Sequence, residues 1–67
     1  MDQFLLRAFN GFLDTIDENG FTVYDFIDYV KRRYPKRTPG SGEASHLCRR
    51  SSRVIYDEDE RCYMVIA

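Results

Sequence analysis

The side chains able to do chemistry in this chain are few, and their spacing decides what each one can reach. His46, Cys48 and Cys62 are its histidine and its two thiols. Residues two apart on a helix point about 200° away from each other. His46 and Cys48 therefore do not meet at one metal or one proton. Thirteen residues separate the two cysteines, a spacing that fits no common zinc pattern, and a fourth soft ligand is missing. A Cys48–Cys62 disulfide would need an oxidising compartment; two small, half-buried thiols are the plainer reading. The acidic run Asp57-Glu58-Asp59-Glu60 has no apolar pocket around it to raise a carboxyl pKa. General acid–base catalysis depends on such tuning. No glycine-rich phosphate loop and no Ser/His/Asp signature is present. The expectation is a protein that is not an enzyme and uses no cofactor and no metal.

The charged residues say more once they are divided by position. The formal net charge is −1, but residues 1–30 carry −5, residues 31–53 carry +7 and residues 54–67 carry −3. A basic middle third is thus hidden inside a nearly neutral total. Charge runs are most often solvated faces, but such asymmetry is also an argument about partners. Which of the two holds depends on the elements that present the charges.

Those elements are expected to form one small domain or a fragment of one, because 67 residues leave no room for a second. Aromatic residues make up 15% of the chain, which excludes the composition of a disordered segment. The longest apolar runs are only a few residues, far short of the roughly 20 needed to span a bilayer. Met1-Asp2-Gln3 lacks the positive start of a signal peptide. Two cysteines cannot build a disulfide framework. The chain is expected to be soluble and cytoplasmic, or associated with the nucleoid, with no membrane partner.

Phe4, Leu5, Ala8, Phe9, Phe12, Leu13 and Ile16 fall on one half of a helical wheel. They predict a first helix over residues 2–19, stopped by Asn19-Gly20. Three phenylalanines on that face make the helix either the centre of the core or a seam with another chain. Val23, Phe26, Ile27, Val30 and Tyr34 predict a second helix over 23–34. Thr22 would cap it, Asp25 would complete a capping box, and Pro35 would end it. Lys31, Arg32 and Arg33 in its last turn suit the negative end of the helix dipole. Residues 35–42 read as a turn-rich linker. A third helix over 42–51, capped by Ser41, would bury Ala44, Leu47, Cys48 and Ser51 and show Ser45, His46, Arg49 and Arg50 outward. The runs Arg53–Tyr56 and Arg61–Ile66 are β-branched and aromatic. They predict a hairpin over 53–66 with a four- or five-residue loop, since no glycine is there for a two-residue turn. Tyr24 and Tyr29 are expected at the surface.

Gly20-Phe-Thr-Val-Tyr-Asp-Phe-Ile27, Ala44-Ser-His-Leu-Cys-Arg-Arg50 and the two runs Arg53–Tyr56 and Arg61–Val65 resemble, in that order, three parts of a winged helix-turn-helix domain. These are the start of its second helix, its recognition helix and the strands of its wing. The resemblance implies a small α+β fold of three helices followed by a C-terminal hairpin. It also implies double-stranded DNA as partner, with the third helix in the major groove. Base contacts then fall to Ser45, His46 and Arg49, with Glu43 at the margin; arginine reads both guanine acceptors at once. Phosphate contacts fall to Lys36, Arg37, Thr38, Arg50 and Arg53, which give affinity and orientation. The acidic tip departs from the usual Lys or Arg of such wings, and phosphates would repel it.

The expected function is therefore a small DNA-binding regulator of transcription or replication. The alternative is a protein-interaction module of the same shape, using the acidic wing and the first helix on a basic partner. Binding of single-stranded or structured RNA through the basic middle is a third reading, with Tyr56 and Tyr63 as its only stacking candidates on a two-stranded sheet. A homodimer through the first helix or through strand 62–66 would pair two small reading heads.

Overall fold

The computed structural model describes residues 3–67. Three helices, α1 (Gln3–Leu13), α2 (Val23–Arg33) and α3 (Ser41–Arg50), are followed by an antiparallel hairpin of β1 (Val54–Asp57) and β2 (Cys62–Val65). This is the small α+β arrangement expected from the pattern. Among the described residues no helix is long and apolar enough to cross a membrane.

Helix α1 buries Leu5, Phe9, Phe12 and Leu13, a stripe at the 3.6-residue period. It ends six residues before the predicted stop at Asn19, and the predicted first residue, Asp2, lies outside the described residues. Short polar side chains cause the early ending by drawing the backbone into local bonds. Thr15 donates its hydroxyl to the Phe12 carbonyl at 2.7 Å, and the Thr15 amide bonds the same carbonyl at 2.9 Å. Asp17 then accepts the Asn19 amide at 2.9 Å. Ile16 still packs on the core from outside the helix. Asn19-Gly20 is thus not the helix stop. Gly20, at φ +80°, instead delivers Phe21 beside β2. There Phe21 and Tyr63 exchange two backbone hydrogen bonds at 2.9 and 2.7 Å.

The start of α2 is as predicted. The Thr22 hydroxyl accepts the Asp25 amide at 3.3 Å, and the Asp25 carboxylate accepts the Thr22 amide at 2.8 Å. The helix stops one residue earlier than expected, with Tyr34 as its C-cap. Residues 35–37 of the linker form a 3₁₀ turn, and α3 begins at Ser41, so its N-cap is Gly40 rather than Ser41. Its buried residues are Ala44, Leu47 and Cys48, with Ser51 half-buried just beyond its end.

The hairpin pairs Val54 with Val65, Ile55 with Met64, Tyr56 with Tyr63 and Asp57 with Cys62, leaving a four-residue loop. Asp57 nucleates that loop by accepting the amides of Asp59 and Glu60 at 3.0 and 3.2 Å. Arg61 takes the left-handed conformation, φ 55°, in the role a glycine usually fills.

The core is aromatic at its centre. Phe26 meets Phe9 edge-on at 5.1 Å and Phe12 at 5.4 Å, and Phe12 meets Phe21 at 5.0 Å. The phenylalanines of α1 are therefore used inside the chain. Phe9 and Phe12 are buried, so the predicted helix seam for a homodimer is occupied by the chain's own core. The other seam, β2, is the middle of the sheet, with β1 on one side and Phe21 on the other. Of residues 62–66 only Ile66, at 62% exposure, stands open.

Candidate nucleic-acid interface

Helix α3 is held by Ala44, Leu47 and Cys48 against the core. The 100° step then aims Gly42, His46 and Arg49 directly outward. His46 and Arg49 are exposed, Ser45 is half-buried on one flank, and Arg50 and Glu43 are exposed on the other. Arg49 and Arg50 form no ion pair among the described residues. Arg49 lies on the hairpin side, lining a hollow with Cys48, Val54, Ile55, Tyr56 and Tyr63. Arg50 lies on the α1 side, lining one with Leu6, Phe9 and Asn10.

The remaining predicted contacts divide sharply. Lys36 is exposed in the 3₁₀ turn and pairs with no carboxylate among the described residues. Arg37 lies over the Phe4 ring at 4.4 Å, which fixes its stem while its charge stays at the surface. Thr38 already donates its hydroxyl to the Pro35 carbonyl at 3.0 Å, so that donor is spent. Arg53 is the clear correction. Its guanidinium pairs with Asp14 at 2.9 Å, and it donates to the Asn10 side chain at 3.2 Å and to the Ala67 carbonyl at 2.9 Å. It ties the start of the hairpin to α1 and is not free for a phosphate.

Elsewhere the basic run is partly neutralised at home. Arg32 pairs with Asp28 at 2.9 Å one turn back, and Arg33 covers the Tyr29 ring at 4.2 Å. Tyr29 is accordingly half-buried, while Tyr24 is 72% exposed. Among the described residues, the cations in or beside the third helix with no ion pair or ring contact are Lys36, Arg49 and Arg50. Lys36 precedes the helix and the two arginines close it, so about 15 Å of helix lies between them.

The two thiols sit apart and unpaired, Cys48 in α3 and Cys62 at the start of β2. Cys62 donates to the Asn19 carbonyl at 3.7 Å. Burial pushes the Cys48 thiol up from 9.0 to about 11. The folded state therefore holds a proton that the unfolded chain releases. This contribution is fully present below pH 9 and is lost as pH rises from 9 towards 11. Stability should fall across that window. Urea unfolding of the parent and of Cys48→Ala at pH 8, 9.5 and 11 checks this. The variant should show the smaller alkaline loss, and equal losses would refute the assignment. Burial also raises the Tyr63 phenol above its ordinary value, with Cys48 adding to the rise and Arg49 opposing it.

Sequence reasoning missed two features here. One is the role of Arg53, whose partners lie up to 43 residues away. The other is the approach of Tyr24, on α2, to Tyr56 and Tyr63, on the hairpin. No family model, curated protein or solved structure matches this chain.

Proposed function

We propose that this chain is a winged helix-turn-helix protein that binds double-stranded DNA, laying α3 in the major groove, and that it serves as a small regulator of transcription or replication in the cytoplasm or nucleoid. One observation carries the reading. The outward face of α3 presents His46 and Arg49, flanked by Ser45 and Arg50, on a helix rigidly seated by its opposite face. A seated helix offering arginine and histidine to solvent is what base-edge recognition requires. Lys36, Arg37 and Arg50 then supply phosphate contacts, while Arg53 and Thr38 leave that set.

Fluorescence anisotropy on labelled duplexes tests it. Lys36→Ala should weaken binding about equally on all sequences and lower the salt slope by about 1. Arg49→Ala should cost about 1–3 kcal/mol on a selected site and relax the preference at one base pair. Unchanged binding in both variants would sink the reading.

The second reading, a protein-interaction module, rests on the wing tip. Glu58, Asp59 and Glu60 are exposed there, and none is in an ion pair among the described residues. A basic protein surface is the partner such a tip would fit.

A further inference from the structure

The hairpin, α2 and the end of α3 border hollows whose tyrosines duplex binding leaves unused. The hollow beside Arg49, about 440 Å³, is lined by Cys48, Arg49, Val54, Ile55, Tyr56 and Tyr63. A second hollow of about 420 Å³ adds Thr22, Val23, Tyr24, Arg61 and Cys62 to the same Tyr56 and Tyr63. The two share a tyrosine wall and together run from Arg49 to Arg61. Neither has a carboxylate in its lining.

The rings are set in advance. Tyr63 stacks on buried Phe21 at 5.7 Å and 25°, and Tyr56 leans edge-on against Tyr63 at 5.0 Å. Tyr56 remains 48% exposed and Tyr24 72%, so ring surface is available for stacking. The bridge at Phe21 makes the platform wider than the two-stranded sheet expected from the sequence. Asp57 alternates to the other face of β1 from Tyr56, and its carboxylate is engaged by the loop amides.

We propose that this groove binds an unpaired nucleotide of single-stranded DNA continuous with the duplex held by α3, the base stacking on Tyr56 and Tyr24 and a flanking phosphate meeting Arg61. π-Faces beside a guanidinium group match the alternation of base and phosphate along a single strand. An acidic peptide would use the arginines but not the rings. The inference rests on the duplex reading, since Arg49, at the edge of the groove, is the residue that would hold the duplex beside it.

The test compares a blunt duplex, the same duplex with a five-nucleotide single-stranded extension, and the single strand alone, each by anisotropy. The parent should bind the extended duplex about tenfold more tightly than the blunt one. Tyr56→Leu and Tyr24→Ala should remove that gain and leave blunt-duplex affinity within twofold. Circular dichroism should show that these exposed replacements keep the fold. Blunt binding without any gain, or a gain that survives both replacements, overturns the groove and leaves the duplex reading standing. Single-strand binding that depends on Tyr56, without duplex binding, upholds the groove and removes the duplex. Binding of no DNA removes both.

Discussion

Phe26→Ala should leave the chain largely unfolded in water at room temperature. Phe26 has no solvent exposure, and its ring sits between Phe9 and Phe12 from α1, at 5.1 and 5.4 Å. Removing it takes away the transfer free energy of the ring and leaves a cavity walled by two other aromatics. Such truncations cost about 3–5 kcal/mol. A single core in a chain this short rarely supplies more than about 3–5 kcal/mol in total. The loss therefore matches the whole margin. Far-UV circular dichroism through a urea titration reads it directly, with Tyr24→Ala beside it as an exposed control. The control should stay within about 0.5 kcal/mol of the parent. A cooperative transition in Phe26→Ala with less than about 1 kcal/mol lost would mean that α1 and α2 do not pack as described.

Gly20→Ala should be nearly as damaging, for a reason of shape rather than of burial. The backbone at Gly20 has φ +80°, a conformation costing an L-residue roughly 1–2 kcal/mol. A methyl group there would also lie 2.4 Å from the Tyr63 carbonyl oxygen and 2.6 Å from the Met64 sulfur. The methionine can move, but the carbonyl cannot, because Tyr63 and Phe21 exchange two hydrogen bonds beside it. Overpacking of this kind costs about 1–3 kcal/mol more. The sum, about 2–5 kcal/mol, should appear as a lower urea midpoint. Gly42→Ala, where nothing lies within 4 Å of the new methyl, should instead stabilise helix α3 by about 0.5–1 kcal/mol. If the two alanines behaved alike, the crossing of Gly20 against β2 would be wrong.

These two positions also show which parts of the fold were legible in the sequence. Helix α2 was readable because its signals are local: Thr22 and Asp25 at one end, Pro35 at the other, and an apolar stripe between. The buried stripe of α3 was readable for the same reason. The end of α1 was not, because the apolar period runs on to Ile16 while Thr15 and Asp17 pull the backbone away through bonds to near neighbours. Gly20 fitted a helix stop and a strand crossing equally well, since both need positive φ. Only the distant partner, Tyr63, distinguishes them.

The candidate site divides along the same line. The outward face of α3 follows from the helical period alone, so His46 and Arg49 fall at the exposed positions expected of them, while Ser45 is half-buried at the flank. Arg53 looked like one more free cation because charge patterning carries no information about partners far along the chain. Its ion pair with Asp14 spans 39 residues. The tyrosine groove was hidden likewise, since Tyr24 and Tyr56 sit on different elements and only the fold places them along one hollow.

The salt dependence of duplex binding tests the central claim most directly. Anisotropy of a labelled mixed-sequence duplex would be followed from low to physiological salt, and the logarithm of the affinity plotted against that of the salt concentration. With Lys36, Arg37, Arg49 and Arg50 as the cations facing DNA, the slope should lie near −3 to −4. No binding at the lowest salt, or a slope near zero, would contradict the account. The exposed arginines of α3 would then belong to a protein partner or to the solvated surface.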